Sequence, residues 1–546
     1  MLGDGDGARQ STPTSVVDSA AVQRAAVLAA TLFVGAWHWQ NDGLWFQGDA
    51  PRHAATGLFF WDVLTTLPAD PLGYALSYYA RYPVLVLGAY PPLFHVLEGL
   101  GFGLFGASPY VARALVLACA ALTGFYALSW GRRWIAPLAG WAGPCTVLLP
   151  GFMRYSNAVL LNVPAAALGL AALYHFQAWL DEGKARDRAL FIGSTAAAVL
   201  TYYPGAIVLP VAIAWVLVSK NRARGRLLLL LSGLVGVVMI AIALTLPEYL
   251  ARQMPSLERL TQTINWVFYS RQLTVMVGVP WVVLAGGGVL AGLLSRARRP
   301  VTVRLVVGLA AAFVCLALLP ALDQRYTLLL APLMVLTAFV GIVTAVGAAG
   351  RYARVAAAAV LVALLTATTQ AAIATPVTRV SGIDDVARFL RANGSSDAVL
   401  YSGIYDGVFA FYVRAMDPGF ERRVVLSGRF LYEYRQVVDF TWVETPHVTI
   451  PGDVVTLMRT MSGCRWVAVE VGGEALLSGT EQVLRRALEG PEFERVQSFP
   501  VTGRPVTRID LYRFLPPLEP APPMDLVFPS FSSRVFHDVK PVTAGQ

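Results

Sequence analysis

The stretch TLLLAPLMVLTAFVGIVTAVG at residues 327–347 decides the class of this protein. It contains no charged residue, and it matches the roughly 20 residues that a helix needs to cross a bilayer. Asp323 and Arg325 precede it, and Arg351 and Arg354 follow it, so charge is confined to its ends. This pattern predicts a transmembrane helix.

Similar apolar stretches recur through two thirds of the chain. They lie near 21–39, 83–105, 110–130, 134–153, 158–180, 187–203, 205–219, 227–247, 273–294, 303–319, 327–347 and 355–375. The chain is 56% hydrophobic and 14% charged, whereas soluble domains are about 45–50% apolar and 25% charged. One globular core could not bury this excess, so we expect a polytopic α-helical membrane protein.

The charged residues and cysteines exclude other classes. The formal net charge is +9, but the basic residues form short clusters between apolar stretches, which predicts membrane topology signals and no nucleic-acid partner. The four cysteines do not form a disulfide framework. Residues 1–20 are polar and lack the basic start of a signal peptide, so we expect a disordered cytoplasmic N-terminus followed by a retained anchor.

Basic loops predict the orientation of the helices. Cytoplasmic loops are expected at Arg132-Arg133, Lys184–Arg188, Lys220–Arg226, Arg296–Arg299 and Arg351–Arg354. A cytoplasmic N-terminus fits this alternation only if one earlier stretch does not span. We choose 83–105, which contains Pro91-Pro92 and Glu98, as a re-entrant or interfacial helix. The prediction is about 11 spans in the plasma (inner) membrane, with the C-terminal region outside.

The chain divides into four predicted parts. Residues 1–20 are the N-terminus, and residues 21–376 are the transmembrane domain, whose outer loop 40–109 carries juxtamembrane helices. Residues 377–515 read as a soluble α/β domain, with strands at 398–402, 423–427, 466–471 and 508–514 and helices at 384–392 and 481–488. Residues 516–546 read as an irregular, Pro-rich tail.

The first outer loop contains the most informative polar cluster, Gly48-Asp49-Ala50-Pro51-Arg52-His53-Ala54. Asp49 could act as a general base toward an acceptor hydroxyl, while Arg52 and His53 hold a departing lipid phosphate. An ordinary solvated loop with a helix-capping Asp49 is the alternative.

Three other places carry candidate site residues. In Tyr90-Pro91-Pro92-Leu93-Phe94-His95, followed by Glu98, helical spacing puts His95 and Glu98 on one face, where they could bind a metal or a phosphate-linked group, or form a simple hydrogen bond. Arg325 and Tyr326 lie at a helix end, where charge indicates a functional cavity or snorkelling. Arg154 is a weaker candidate for the same cavity.

These residues resemble motifs of the GT-C membrane glycosyltransferases, in the group with protein O-mannosyltransferases and the lipid A aminoarabinose transferase. Residues 49–54 are similar to the first-loop D-E-x-R-Y-A motif, and residues 90–94 to H-P-P-L-Y. Weaker likenesses follow in the family's order over roughly residues 20–350, at 106–113, Arg154-Tyr155, 203–205 and Arg325-Tyr326 with Pro332. The chain departs from the pattern at Ala50, which replaces the second acid, and at Tyr90, which replaces the histidine.

The resemblance implies an inverting transferase that moves a sugar from a polyprenyl-phosphate donor to a hydroxyl of a lipid, glycan or protein. Asp49 would be the general base, and Arg52, His53, Arg325 and Arg154 would hold the phosphate. The pocket would include Tyr90, Pro91, Pro92, His95, Glu98 and Tyr326. No cofactor is specified, and a divalent metal is left open.

Two other functions compete with this one. A transporter or flippase of a lipid-linked substrate would place charges at the bilayer midplane, whereas these charges gather at the rim. A non-catalytic, glycan-binding family member is the second alternative, favoured by the loss of the second acid at Ala50.

Overall fold

The computed structural model describes most of the chain, with gaps. The described residues are 16–37, 48–219, 225, 228, 232–233, 236, 257–319, 322–377, 380–393, 397–436, 442–472, 478–520, 523–527 and 535–543. Residues 1–15, most of the basic cluster at 220–226, most of the 227–247 stretch and the first part of the loop after it lie outside these ranges.

The first two thirds of the chain is helical. The helices are, in chain order, α1 (Ala20–Trp37), α2 (Asp49–Thr66), α3 (Pro71–Arg81), α4 (Leu93–Phe105), α5 (Pro109–Trp134), α6 (Ala142–Val147), α7 (Pro150–Ser156), α8 (Asn162–Glu182), α9 (Ala185–Thr201), α10 (Val208–Val218), α11 (Thr263–Val277), α12 (Val279–Leu294), α13 (Arg299–Ala317), α14 (Ala331–Ala348) and α15 (Ala353–Ala374). Within the described ranges, six helices are long and apolar enough to span a bilayer, namely α1, α5, α8, α13, α14 and α15. This is a multi-pass membrane protein, and the count of about 11 spans stays a prediction.

Two apolar stretches differ from the single helices that we expected. The 134–153 stretch is divided into a 3-10 turn (Pro137–Trp141), α6 and the start of α7, because proline and glycine interrupt the helical hydrogen bonds. The 273–294 stretch falls in α11 and α12, which meet at 105° across Gly278. Gly278 has a φ of 89°, a left-handed conformation that favours glycine.

Helices α2, α3 and α4 form the segment between the first two long spans. The 83–105 stretch, expected to be re-entrant or interfacial, ends in the 13-residue α4, which is shorter than a bilayer-spanning helix. Helix α4 packs against α2 at a glycine contact, because a Cβ on Gly99 would lie 2.6 Å from the carbonyl oxygen of Gly57. This close approach fixes the direction of α2 and of the polar residues at its start.

The C-terminal region is a mixed α/β domain. Its helices are α16 (Ile383–Ala392), α17 (Asp406–Ala415), α18 (Ser427–Phe430), α19 (Pro451–Leu457) and α20 (Gly479–Ala487), and its strands are β1 (Ala398–Ser402), β2 (Val424–Leu426), β3 (Tyr432–Gln436), β4 (Trp442–Pro446), β5 (Cys464–Val471), β6 (Phe493–Pro500), β7 (Arg508–Phe514), β8 (Met524–Val527) and β9 (Val535–Val539). The main sheet has the order β2-β1-β5-β7-β6. Strands β2, β1 and β5 are parallel, and β7 and β6 continue the sheet antiparallel.

The expected elements of this domain are present within a few residues, and others were not predicted. The strand at 398–402 and the strand at 508–514 have the expected bounds. Helix α17, strand β6 and the β3–β4 hairpin were not predicted from the sequence. The prediction of an irregular tail was wrong, since β8 and β9 pair in an antiparallel hairpin.

Helix α17 docks the α/β domain on α2. Arg414 donates to the Asp62 carboxylate at 2.6 Å and to the Tyr78 hydroxyl at 2.9 Å, and Tyr78 also donates to Asp62 at 2.9 Å. Arg414 and Asp62 are 6% and 7% exposed, so this ion pair is buried between the two parts of the chain. The guanidinium also lies over the Phe420 ring, 4.2 Å from its centroid.

Candidate active site

The start of α2 presents three polar residues together. Gly48, with a φ of 98°, precedes Asp49, the first residue of the helix. The positive end of the helix dipole stabilises a carboxylate at this position. Because Asp49, Arg52 and His53 are three and four positions apart, they occupy one side of α2. The predicted catalytic cluster is therefore helical, and it does not lie in a solvated loop.

Asp49 receives contacts from two other segments of the chain. Arg325 Nη1 lies 3.1 Å from Asp49 Oδ2, and the Tyr90 hydroxyl donates to the same oxygen at 3.3 Å. These partners are 276 and 41 positions away in sequence. The side chain of Asp49 is 33% exposed, so a substrate can reach the carboxylate.

Arg325 is itself held by a second carboxylate. Its backbone N–H and its Nε donate to Asp323 at 2.9 and 2.7 Å, and its Nη2 is ion-paired with the same side chain. The residue lies on a 3-10 turn, Gln324–Leu329, that precedes α14. Arg325 thus bridges Asp323 and Asp49 with its guanidinium edge fixed by the turn.

Arg52 contacts the α/β domain. Its Nη2 lies 3.0 Å from Oδ2 of Asp406, the first residue of α17. The helices approach closely there, since a Cβ on Gly407 would lie 2.9 Å from the Pro51 ring. Sequence reasoning missed Asp406, although an Asp-Gly pair shortly after a strand is a usable signal for a helix start.

The two histidines form a directional pair that fixes their protonation. Nδ1 of His53 lies 2.9 Å from Nε2 of His95, and His95 also makes a hydrogen bond with the backbone of Pro91. Proline has no N–H, so its carbonyl must accept that bond from His95 Nδ1. His95 Nε2 is then an acceptor, His53 Nδ1 is the donor, and His53 Nε2 retains a lone pair.

Both histidines are neutral. Burial lowers the pKa of His53 to about 3, with a contribution from the charge of Arg325, and burial lowers the pKa of His95 well below its usual range. A neutral imidazole whose remaining nitrogen is an acceptor cannot donate to a phosphate. His53 is therefore suited to accept a hydrogen bond from a hydroxyl, which differs from the phosphate-binding role that we expected.

Aromatic rings form one wall beside Asp49. The Tyr90 ring stacks on Tyr202 at 6.0 Å between centroids, and Tyr202 packs against Tyr326 at 5.9 Å. The edge of Tyr90 also faces His53 at 4.7 Å. Tyr90 and Tyr326 were predicted from the sequence, whereas Tyr202, which precedes the Tyr203-Pro204-Gly205 turn, was not.

The other residues that were predicted to belong to the site lie at the edge of the cluster around Asp49 or away from it. Arg154 lies over the Tyr155 ring at 5.5 Å, and Tyr155 interacts with Asp323 and Arg325. Pro92 immediately precedes α4. Glu98 faces Gly57, roughly 12 Å beyond Asp49 along α2 at 1.5 Å per residue. Among the described residues, no group of three or more metal-ligating side chains comes together.

Comparison with known proteins gives a fold. No protein-family model matches the sequence, and no curated protein matches it. The structure of ArnT from Cupriavidus metallidurans bound to undecaprenyl phosphate superposes with a TM-score of 0.57 and 15% identity, covering 92% of this chain and 100% of that one. This chain has the GT-C glycosyltransferase fold.

Two further structures share the GT-C fold. The Archaeoglobus fulgidus oligosaccharyltransferase AglB, in complex with an inhibitory peptide and a dolichol-phosphate, has a TM-score of 0.53 and 12% identity over 83% of this chain and 70% of that one. The mycobacterial arabinofuranosyltransferase AftD has a TM-score of 0.52 and 16% identity, covering 93% of this chain and 41% of that one. The expected fold class, a GT-C helical membrane part with a C-terminal α/β domain, is confirmed.

Proposed function

We propose that this protein is a membrane glycosyltransferase that moves a sugar from a polyprenyl-phosphate donor to an acceptor hydroxyl, with Asp49 as the general base. The observation that carries the proposal is the convergence of Arg325 and the Tyr90 hydroxyl on one oxygen of Asp49. The site combines a base, a cation and aromatic rings, which are the parts that this reaction needs.

In the proposed reaction, the acceptor oxygen attacks the anomeric carbon as its proton passes to Asp49. The bond between that carbon and the phosphate oxygen breaks, and its electron pair leaves with the polyprenyl phosphate. Attack from the face opposite the phosphate inverts the anomeric centre. Asp49 is suited to this role because its carboxylate is oriented by Arg325 and the Tyr90 hydroxyl and is still partly exposed to a substrate.

The negative charge that develops on the leaving phosphate needs a cation. Arg325 is fixed by Asp323 on one edge, and Arg52 is held by Asp406, so both guanidinium groups are pre-oriented. Guanidinium groups match phosphate geometry and keep their charge. We assign both to the leaving phosphate, with Arg154 at the edge of the same group.

The neighbouring groups would orient the sugar. Nε2 of His53 accepts a hydrogen bond from a sugar hydroxyl, and Tyr90, Tyr202 and Tyr326 offer ring faces and hydroxyl groups. Pro91 and His95 act through His53, since they set its tautomer. Pro92 shapes the start of α4, and Glu98 lies against Gly57 where α4 packs on α2.

The comparisons support a lipid-linked donor. One solved neighbour binds undecaprenyl phosphate and another binds a dolichol-phosphate and a peptide. We propose that the reaction takes place at the outer face of the plasma membrane, with the N-terminus in the cytoplasm and the α/β domain outside. The acceptor is a hydroxyl of a lipid, glycan or protein.

The test is Asp49→Asn in purified membranes, with expression verified and a radiolabelled polyprenyl-phosphate sugar as donor. Loss of a general base predicts a rate at least about 100-fold below that of the parent. Asp70→Asn is the matched control, because Asp70 caps α3 outside the site and asparagine caps equally well. An Asp49→Asn protein as active as the parent would refute the proposal. Parallel assays with a chelator measure any divalent-metal requirement.

A further inference from the structure

A second cationic site lies at the junction of α3 and the α/β domain, apart from the group around Asp49. Arg81, the last residue of α3, is 8% exposed. Its side chain makes no hydrogen bond and no ion pair within 4 Å with any residue that the structure describes. A buried cation without a partner is unusual because the loss of hydration is not offset.

A second arginine approaches Arg81 from the α/β domain. Arg423, just before β2, is half-buried, and its charge and that of Arg81 are close enough to repel. The one hydrogen bond that its side chain makes to a described residue is from Nη2 to the sulfur of Met524 in β8, at 3.7 Å. The Nε atoms of both arginines are buried without a hydrogen-bond partner.

The carboxylate that attracts Arg81 already accepts hydrogen bonds from other groups. Asp417 attracts Arg81 at a distance, but its oxygens accept from the Tyr82 hydroxyl at 2.8 Å and from the backbone N–H of Glu421 and Arg422 at 2.9 and 2.7 Å. The carbonyl end of α3 supplies only a partial negative charge. Asp417 thus joins Tyr82 and Arg422, the chain neighbours of Arg81 and Arg423, and neither of those two guanidinium groups has an ion pair within 4 Å among the described residues.

We propose that Arg81 and Arg423 form a binding site for a phosphate group at the junction of α3 and the α/β domain. Two guanidinium groups supply several N–H donors and two charges, which suits an oxyanion better than a neutral ligand. The site takes its groups from both parts of the chain, so an occupant would hold them together. The phosphate can belong to a free anion or to a lipid headgroup, because α3 is a short helix beside the membrane spans.

The experiment uses the full-length protein purified in detergent without phosphate or sulfate, and measures its melting temperature. One arm adds inorganic phosphate, with chloride at equal ionic strength as the reference. The other arm adds phosphatidylglycerol, with phosphatidylcholine as the reference. The proposal expects at least one ligand to raise the melting temperature of the parent, and the double variant Arg81→Gln/Arg423→Gln to lose that rise.

The arm that responds identifies the source of the phosphate. Arg388→Gln is the control, since Arg388 is exposed on α16 and pairs with Asp384 and Asp385, and it should keep the full response. Absence of a rise in both arms, or an equal rise in the double variant, would overturn the proposal.

A second measurement excludes a purely structural role. Without any added anion, Arg81→Gln should melt at or above the temperature of the parent, because the change removes one of two cations that repel each other. If Arg81→Gln melts well below the parent in this buffer, Arg81 stabilises the fold without a ligand, and the proposal is wrong.

Discussion

Replacing Arg414 with methionine should undock the α/β domain from α2. The change removes the guanidinium that lies 2.6 Å from the Asp62 carboxylate in a contact that is less than a tenth exposed. Coulomb's law gives about 6 kcal/mol for charges at this distance with an effective dielectric constant of about 20. Desolvation offsets much of that attraction, and breaking one side of a buried pair costs about 3–5 kcal/mol.

The assay is equilibrium unfolding in detergent, combined with hydrogen exchange at α2 and α17. Arg388→Met is the matched control. The side chain of Arg388 is 62% exposed although it forms ion pairs, and such surface pairs contribute about 0–1 kcal/mol to stability. The double variant Asp62→Asn/Arg414→Met should recover much of the loss, since no buried charge remains unpaired. If Arg414→Met costs no more than Arg388→Met, or the double variant is as unstable as the sum of the singles, the reasoning fails.

Three other changes test separate parts of the structure. Burial raises the pKa of Glu470 from 4.5 to about 7. Protonated Glu470 therefore contributes about 3 kcal/mol to stability below pH 4.5, and this contribution is lost as the pH rises through 7. The melting temperature of the parent should fall over this pH range, and Glu470→Gln should abolish that fall. His95→Phe should cost about 1–3 kcal/mol, because Nδ1 of His53 loses its buried acceptor, and should lower kcat/KM for the sugar donor. Gly99→Ala should lower the free energy of unfolding by about 1–3 kcal/mol through overpacking. Gly193→Ala on α9 is the control, because the added Cβ would meet no atom within 4 Å, and it should be neutral or stabilising.

The membrane fold was largely predictable because hydropathy reports directly on the solvent around a helix. The charge-free stretch at 327–347 lies mainly in α14, as expected. Hydropathy could not show where an apolar stretch divides into separate helices. A hydropathy average over a window is insensitive to single residues such as Pro137 and Pro150 and to the positive φ of Gly278. Local backbone geometry sets the positions at which these helices end.

The candidate site was predictable in part, for a similar reason. Asp49, Tyr90 and Arg325 were named from local sequence, and the structure brings them together across long separations. Asp406 and Tyr202 were missed because their importance depends on a tertiary contact that no short pattern encodes. The expected phosphate role of His53 depended on its protonation, which is set by His95 and the Pro91 carbonyl.

The α/β domain is better understood as part of the candidate site than as an attachment to it. Asp406 at the start of α17 holds Arg52, and Arg414 near its end holds Asp62, so one helix fixes α2 at two positions that are nearly three turns of α2 apart. Glu470 in turn accepts the backbone N–H groups of Ile404 and Tyr405 and thus fixes the loop that leads to Asp406. A continuous set of polar contacts therefore connects the main sheet to Arg52, and a change in the sheet can alter the position of that side chain.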